Sequence, residues 1–359
     1  MNIRVINAGF VTPVYSQAIY HGIAEQMQAD DCPVLVIMQP DKPYICIGLH
    51  QQLDEEVDLI FCEKNEIQVL RRHIGGGTVL LDENQLFFQY IFPKAKAPNR
   101  PGELYPYLLN PILHTYHHFG IPALLKSTND IQVSNKKIGG TGAGTINNAT
   151  VLVGSFMYDF NYHLMSQCIK APSENFRASL EGILEQSITT MKAQLTKTPP
   201  VDALTEIFLA NVADTIDYEI EHVNLTQREV EAIRIAEQEQ LEEEWLYIDA
   251  KKLIRNGLKI AAGVYLLETT FSFCDNPLTI RIKYDERSLQ NIWLESPSPR
   301  IQAAMIFVAT ELNITKPKVD QQIIYETIIK VTSQNSSLND SDIEILSKKI
   351  VELATFTEY

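Results

Sequence analysis

The run Arg71-Arg72-His73-Ile74-Gly75-Gly76-Gly77-Thr78-Val79 constrains this chain more than any other stretch. EIQVLRR just ahead of the glycines has the composition of a strand. Three consecutive glycines cannot continue it: without Cβ atoms they turn, reach positive φ and let backbone amides approach another group closely. The segment therefore predicts one of two things. It is a tight turn flanked by surface guanidinium groups, or it is an anion site where backbone N–H groups and the forks of Arg71 and Arg72 meet carboxylate or phosphate oxygen.

A second cluster follows at Asn129-Asp130 and Asn135-Lys136-Lys137-Ile138-Gly139-Gly140-Thr141-Gly142. NDIQVSNKKIGG reads as strand, turn, strand, and a hairpin with a polar turn explains it without chemistry. Chemically, the Asp130 carboxylate can hold Mg²⁺ near phosphates, and Lys137 can stabilise charge developing on an acyl phosphate.

Around these clusters the pattern alternates between helix and strand. Residues 14–28 place Ile19, Ile23 and Met27 at helical spacing, and PVLVIMQ and YICIGLHQ then read as a strand pair across the turn-prone QPDKP. QLFFQYIF (85–92) predicts a strand, and residues 104–119 a helix with Pro111 near its start or at a kink. TVLVGSFMYDF (150–160) is expected as the last strand before a mainly helical region over 173–248. There Thr226 and Glu229 form a capping-box pattern, ahead of an acidic helix carrying Val230, Ile233 and Leu241.

From about residue 251 three strands are expected and then a helix at IQAAMIFVATEL. SQNSSLNDSD (333–342) reads as a linker, with Ser341 and Glu344 capping a last helix. The division predicted is a catalytic domain over 1–248, a small β-rich accessory domain over 251–332, and a linker with terminal helix over 333–359.

The net charge of −15 argues against non-specific nucleic-acid binding, since a duplex would be repelled. No apolar run approaches the roughly 18 residues of a membrane span. The start MNIRVINAGF lacks the features of a secretory leader, so a cytoplasmic protein is expected. Five scattered cysteines without a CxxC pair read as reduced, mostly buried thiols. His114, His117 and His118 share one face of the helix predicted there. With no acidic or thiol side chain nearby in sequence, a solvated helix face explains them better than a metal.

Four segments in one order carry a resemblance: Ile47-Gly48-Leu49-His50-Gln51-Gln52, the arginine and glycine run, Asn129 to Gly140, and Val153-Gly154-Ser155-Phe156. They are similar to the IGRHQN, RRxSGGGxVxHDxGN, NDxxxxGxKxxG and HGTL segments of lipoate-protein ligases. The resemblance implies an α+β catalytic domain of the class II aminoacyl-tRNA synthetase and biotin ligase type. In it Arg71, Arg72, Gly75, Gly76, Gly77, Thr78, Val79, Gly140, Gly154 and Ser155 would bind the acyl substrate. Asp82, Asn129, Asp130 and Lys137 would meet the nucleotide, with Asp130 on the metal and Lys137 as the catalytic lysine.

By the same resemblance the cofactors are ATP and Mg²⁺ and the substrate is lipoate or octanoate. The partners implied are lipoyl domains of 2-oxo acid dehydrogenases or the glycine-cleavage H protein. Leu81 and Val153 stand where the family has histidines, Asn84-Gln85 replaces Gly-Asn, and Asn135 replaces the glycine before the lysine. The family's W-x-x-G pattern becomes Trp245-Leu246-Tyr247-Ile248. Val153 removes a possible hydrogen bond and Leu81 makes the nearby wall more apolar, which leaves the acyl acid open. Two competitors remain: acyl transfer without ATP, which needs a nucleophilic cysteine at the site, and a non-catalytic acyl-binding homologue. Biotin ligation is disfavoured because no GRGRxGR loop is present.

Overall fold

The computed structural model describes residues 2–126, 128–249, 257–261, 263–285, 288–335 and 338–355. The chain divides into two compact units, residues 1–170 with 181–251, and residues 171–180 with 252–359. The expected boundary at 251, and residues 336–337 of the expected linker, lie outside the described residues.

The first unit opens with β1 (Asn2–Val11), α1 (Pro13–Gln26), β2 (Val34–Pro40), β3 (Tyr44–Ile47), α2 (Leu53–Glu56), α3 (Leu59–Lys64) and β4 (Gln68–Arg71). It continues through β5 (Val79–Leu81), β6 (Gln85–Pro93), α4 (Pro101–His118), β7 (Leu124–Lys126), β8 (Asp130–Val133), β9 (Lys136–Ile146) and β10 (Ala149–Met157). The helical part is α5 (Tyr162–Cys168), α6 (Glu174–Ser187), whose first half clusters with the second unit, α7 (Met191–Gln194) and α8 (Val201–Ile216). The short strand β11 (Glu219–His222), α9 (Gln227–Gln240) and α10 (Glu243–Leu246) follow.

Eight strands form one sheet in the order β11-β1-β2-β6-β10-β9-β8-β7, and β4-β3-β5 form a small second sheet. Period-two alternation gives the large sheet two apolar faces. Phe88, Tyr90, Phe92 and Phe156 pack on one side with Tyr116 of α4 and Phe208 of α8. On the other side Val34, Val36, Phe87, Ile91 and Val151 pack with α1, and with Ile233 and Ala236 of α9. Helix α1 is buried for most of its length, which fits a composition whose one carboxylate, Glu25, stands at its end. Thr12 caps it and Pro13 occupies its first turn, where no N–H is needed.

Several expectations are corrected. PVLVIMQ and YICIGLHQ are both strands but do not pair with each other: β2 joins β1 and β6, whereas β3 lies parallel to β4 and antiparallel to β5. Both are wholly buried, and an all-apolar run carries no mark of its neighbour. β10 is not the last strand of this unit, because the polar EIEH forms β11 on the exposed edge, parallel to β1. Pro106 and Pro111 both lie inside α4, which begins earlier than expected, at Pro101. The core face of α9 is Ala232, Ile233 and Ala236, while Val230 and Leu241 are exposed. Its capping box is present, and Arg4 grips Glu229 of that box at 2.7 and 3.0 Å.

In the second unit β12 (Gly257–Ala261), β13 (Val264–Phe273), β14 (Asn276–Asp285) and β15 (Leu289–Glu295) make an antiparallel sheet. Helices α11 (Pro299–Thr315), α12 (Gln321–Asn335) and α13 (Asp340–Ala354) follow. Helix α12 runs into the stretch expected as a linker. The last helix is capped by Asn339 with Asp342 rather than by Ser341, and its Ile343, Leu346 and Ile350 belong to this unit's core. Arg281, 2% exposed, ties the sheet through Glu268 at 2.7 Å and Glu295 at 3.2 Å.

Candidate active site

Ser134 and Asn135 join β8 to β9 with φ of 50° and 65°, the left-handed pair that a two-residue hairpin requires. A register shift between Ile131 and Gln132 accompanies the hairpin, and Asp130 lies opposite Gly140. Lys137 Nζ comes to 2.8 Å from Asp130 Oδ1; the lysine side chain is 26% exposed and the carboxylate only 4%. The carboxylate is therefore withheld from solvent while the ammonium remains reachable. The aliphatic end of Lys137 lies over Gly140, where a Cβ would sit 3.4 Å from Lys137 Cε. Thr141 Oγ1 donates to the Asn129 carbonyl at 2.6 Å, which ties the start of the hairpin to its far strand. The Lys137 carbonyl accepts from Thr189 N at 2.8 Å, and Lys136 Nζ donates to the Glu185 carbonyl at 3.0 Å. Asn129, Asp130, Lys137 and Gly140 thus form one cluster.

Gly154 lies opposite Thr141 in β10, with the Phe88 ring where a side chain would be. Ser155, one residue on, is buried and donates to Gln85 Oε1 at 3.1 Å.

The arginines have a different role from the one expected. Arg71 is fully buried. Its Nη1 donates to the carbonyls of Gly48, Leu49 and Gln51 at 3.3, 2.9 and 2.8 Å, and its Nε and Nη2 both donate to the Leu246 carbonyl. Every nitrogen of that guanidinium donates to a backbone carbonyl. Arg71 therefore fastens the loop after β3 to α10 and is not an anion contact. The physical reason is that the loop turns its carbonyls inward, and buried carbonyls need donors.

Arg72, half-buried, likewise braces the glycine loop through Gly75 O at 2.9 Å, Gly77 O at 2.7 Å and Cys46 O at 3.1 Å. Gly76 needs its freedom: its φ is 103°, and a Cβ there would stand 2.8 Å from Arg72 Nη2. Its carbonyl also presses against Gly48, leaving no room for a side chain on that residue. Thr78 hydrogen-bonds Gln51 Oε1 at 3.2 Å, and Val79 pairs with Cys46 in the small sheet. Asp82 is buried and accepts from Asn84 N at 3.0 Å, so it serves the turn between β5 and β6.

One feature at the loop had no clear signal in the sequence. His21 of α1, His73 and Trp245 of α10 form a stack with ring centroids 3.5 and 4.0 Å apart. Trp245 Nε1 donates to the Arg71 carbonyl at 2.9 Å. The altered W-x-x-G segment therefore docks by its indole, and only the isolated Trp-Leu pair could have hinted at this. His21 Nδ1 and His73 Nε2 are buried without hydrogen-bond partners. Burial pushes His21 down to about 4 and His73 down to about 3, with the neighbouring His21 adding to the latter shift.

Both imidazoles are held neutral below their unfolded value near 6.5, so the unfolded chain binds more protons between about pH 6.5 and pH 3. Stability is complete above that window and falls with pH inside it, by up to about 1.4 kcal/mol per pH unit for each histidine. The urea midpoint is expected to drop between pH 7 and pH 5, and His73→Phe, which keeps a ring in the stack, to flatten that slope. An unchanged slope would show that the stack is not what the protons disrupt.

Three cysteines, Cys46, Cys62 and Cys168, are buried and two are exposed. Burial raises the Cys46 thiol above its ordinary value despite the nearby Arg72. Among the described residues no group of three or more His, Cys, Asp or Glu side chains is placed to hold a metal ion. His117 of the histidine cluster contacts the Ala123 carbonyl at 2.6 Å.

The family model for the lipoyl protein ligase A/B catalytic domain matches residues 12–213, more than half of the sequence and all of the cluster just described. The chain belongs to that family. The lipoate-protein ligase LplJ of Bacillus subtilis is 26% identical over 225 residues, which span 61% of this chain and 66% of that protein. The octanoyltransferase LipM of Oceanobacillus iheyensis is 23% identical over 223 residues, 57% of this chain and 82% of that one. Among solved structures, the bipartite lipoate protein ligase of Thermoplasma acidophilum, studied with its E2 lipoyl domain, superposes with a TM-score of 0.64 at 21% identity. That match covers 71% of this chain and all of the other. The α+β fold of this lipoyl ligase family member is the one expected from its motifs, with a sheet domain at the C-terminal side.

Proposed function

We propose that this chain activates lipoate, octanoate or a similar acid with ATP as the acyl-adenylate and transfers the acyl group to a lysine of a lipoyl acceptor domain. The observation that carries the proposal is the reachable Lys137 ammonium, held at 2.8 Å by a buried carboxylate beside a glycine strand that admits close approach. A carboxylate oxygen of the acid attacks the α-phosphorus of ATP and pyrophosphate leaves. The neutral amine of the acceptor lysine then attacks the acyl carbon, AMP leaves with the bonding pair, and the nitrogen gives up a proton. In both steps negative charge grows on oxygen, and a fixed ammonium stabilises it without reorganising.

Asp130 is 4% exposed and held by Lys137, so its carboxylate does not suit the Mg²⁺ expected of it, and an ion brought in with ATP would be held by phosphate and water. Such an ion would neutralise phosphate charge. The Thermoplasma match supports a lipoyl domain of a 2-oxo acid dehydrogenase as acceptor, and the glycine-cleavage H protein is the other candidate. Among the described residues no helix is long and apolar enough to cross a membrane. We place the activity in the cytoplasm, with ATP and the acceptors.

The octanoyltransferase match favours a second reading, thioester transfer without ATP. That chemistry needs an accessible, activated thiol. Cys46, Cys62 and Cys168 are buried and burial raises the Cys46 thiol, which weighs toward ligation, although a hydrogen bond with Cys168 lowers the Cys62 thiol and Cys32 and Cys274 are exposed. The deciding measurement follows pyrophosphate release and acceptor mass with ATP, Mg²⁺, lipoate or octanoate, and an apo lipoyl domain. Acid-dependent release with the matching mass gain is expected. Acylation from an octanoyl thioester without ATP, and none from the free acid, would overturn ligation.

A further inference from the structure

Asp58 caps the six-residue helix α3 with its side chain, which accepts from Phe61 N at 3.0 Å. Its backbone is tied to the end of α5. Asp58 N donates to the Cys168 carbonyl at 2.8 Å, Lys170 N donates to the Glu56 carbonyl at 3.0 Å, and Val57 and Ile169 face each other across an antiparallel bridge. Cys168 is thereby fixed beside the start of α3. Cys62 follows one helical turn after Asp58, its N–H donating to the Asp58 carbonyl at 3.0 Å. Side chains on a helix tilt toward its N-terminus, so the Cys62 side chain leans back over Asp58 toward Cys168. The two thiols meet there and share a hydrogen bond.

No other cysteine has this setting among the described residues. Cys32 and Cys274 are exposed, and Cys46 is buried against Arg72. Cys62 and Cys168 are 1% and 0% exposed, yet the cover over them is thin on the α3 side, where Ile60, Glu63 and Lys64 are exposed. A short helix with such an outer face opens locally far below the cost of global unfolding. The hydrogen bond from Cys168 lowers the Cys62 thiol, which makes its sulfur the nucleophile of the pair. Sulfurs already in contact reach bonding distance by small side-chain rotations, without the backbone movement that a distant pair needs.

We infer that Cys62 and Cys168 are a modification site, which a small peroxide closes as a disulfide that staples α3 to α5. The Cys62 thiolate attacks one peroxide oxygen, and the leaving hydroxide takes up the thiol proton as water. The sulfenic acid so formed is attacked by the Cys168 sulfur, and a second water leaves. Two thiols are oxidised to one disulfide and the peroxide is reduced to two waters. In a reducing compartment the pair stays as thiols. The inference is independent of the ligase reading, because neither thiol enters the proposed reaction.

The loop closed by this bond spans about a hundred residues, long enough for a large restriction of the unfolded chain. It contains β4, the glycine loop and the hairpin that bears Asp130 and Lys137. Oxidation at this pair should therefore strengthen the fold around the candidate site.

The experiment uses the full chain with Cys32→Ser and Cys274→Ser, which removes the exposed thiols. The folded protein is treated with hydrogen peroxide, then unfolded and alkylated, and each cysteine is located by peptide mass spectrometry. The expected result is a peptide pair linked through Cys62 and Cys168, with two hydrogens lost, Cys46 still alkylated, and full reversal by dithiothreitol. The oxidised form should unfold at a urea midpoint about 1 M higher than the reduced form. Cys62→Ser should abolish both the link and the shift. If that variant fails to fold, the mapping and the paired urea melts of its parent decide the matter alone. Both thiols found alkylated after peroxide, sulfinic acid on Cys62 without a link, or a link that forms only in urea-unfolded chain overturns the inference. A link that forms in the folded protein without raising the midpoint overturns the staple.

Discussion

Lys137→Ala is expected to lose both adenylate formation and acyl transfer, by about a hundredfold to a thousandfold in each. That is the usual loss when one preorganised donor to a developing oxyanion is removed. The ammonium does two things that the variant cannot. On the reaction proposed above it would face the oxygens that gain charge, and it neutralises Asp130, whose carboxylate is 4% exposed. Without the lysine that buried carboxylate loses its 2.8 Å ion pair, and some stability should be lost. Pyrophosphate release and transfer from separately prepared acyl-adenylate measure the two half-reactions, and a urea melt separates the structural part. An alanine variant that keeps the rate of either step would remove Lys137 from that step.

Arg71→Ala is expected to be the most destabilising single change at the site. The guanidinium satisfies the carbonyls of Gly48, Leu49, Gln51 and Leu246, and removing it leaves them facing a cavity. Breaking a buried network of this kind costs on the order of 3–5 kcal/mol. Arg71→Lys should not recover it, because a single ammonium cannot span the fork that reaches both the loop and α10. Thermal or urea unfolding checks this. If Arg71 were instead an anion contact, the variant would melt normally and raise only KM, and that outcome would refute the structural role given to it.

Much of the local structure around the candidate site was readable from local signals. The glycine loop, the hairpin bearing Asp130 and Lys137, the capping box at Thr226 and the strand at 150–157 all depend on residues a few positions apart, where propensity and turn chemistry act directly. The misreadings share one cause. Arg71 next to three glycines suggests an anion site, yet its partners are at positions 48 to 51 and 246, and nothing in the local sequence says which way those carbonyls turn. β2 and β3 look alike and join different sheets, because a continuous apolar run records burial and not neighbours. β11 is polar, and it is a strand only because the edge of β1 offers it hydrogen bonds.

By itself, then, the sequence determined the family-like order of segments and the residue types at the candidate cluster, because both are written within short stretches of chain. Only the tertiary structure decided what those residues do to one another. It seated Lys137 on Asp130 through a hairpin register, spent both arginines on backbone carbonyls, stacked His73 between His21 and Trp245, and laid Ile74 on glycines some seventy positions away. Those contacts arise from close packing and from the need to pair every buried donor and acceptor, and such demands are met between distant segments only when the chain has closed.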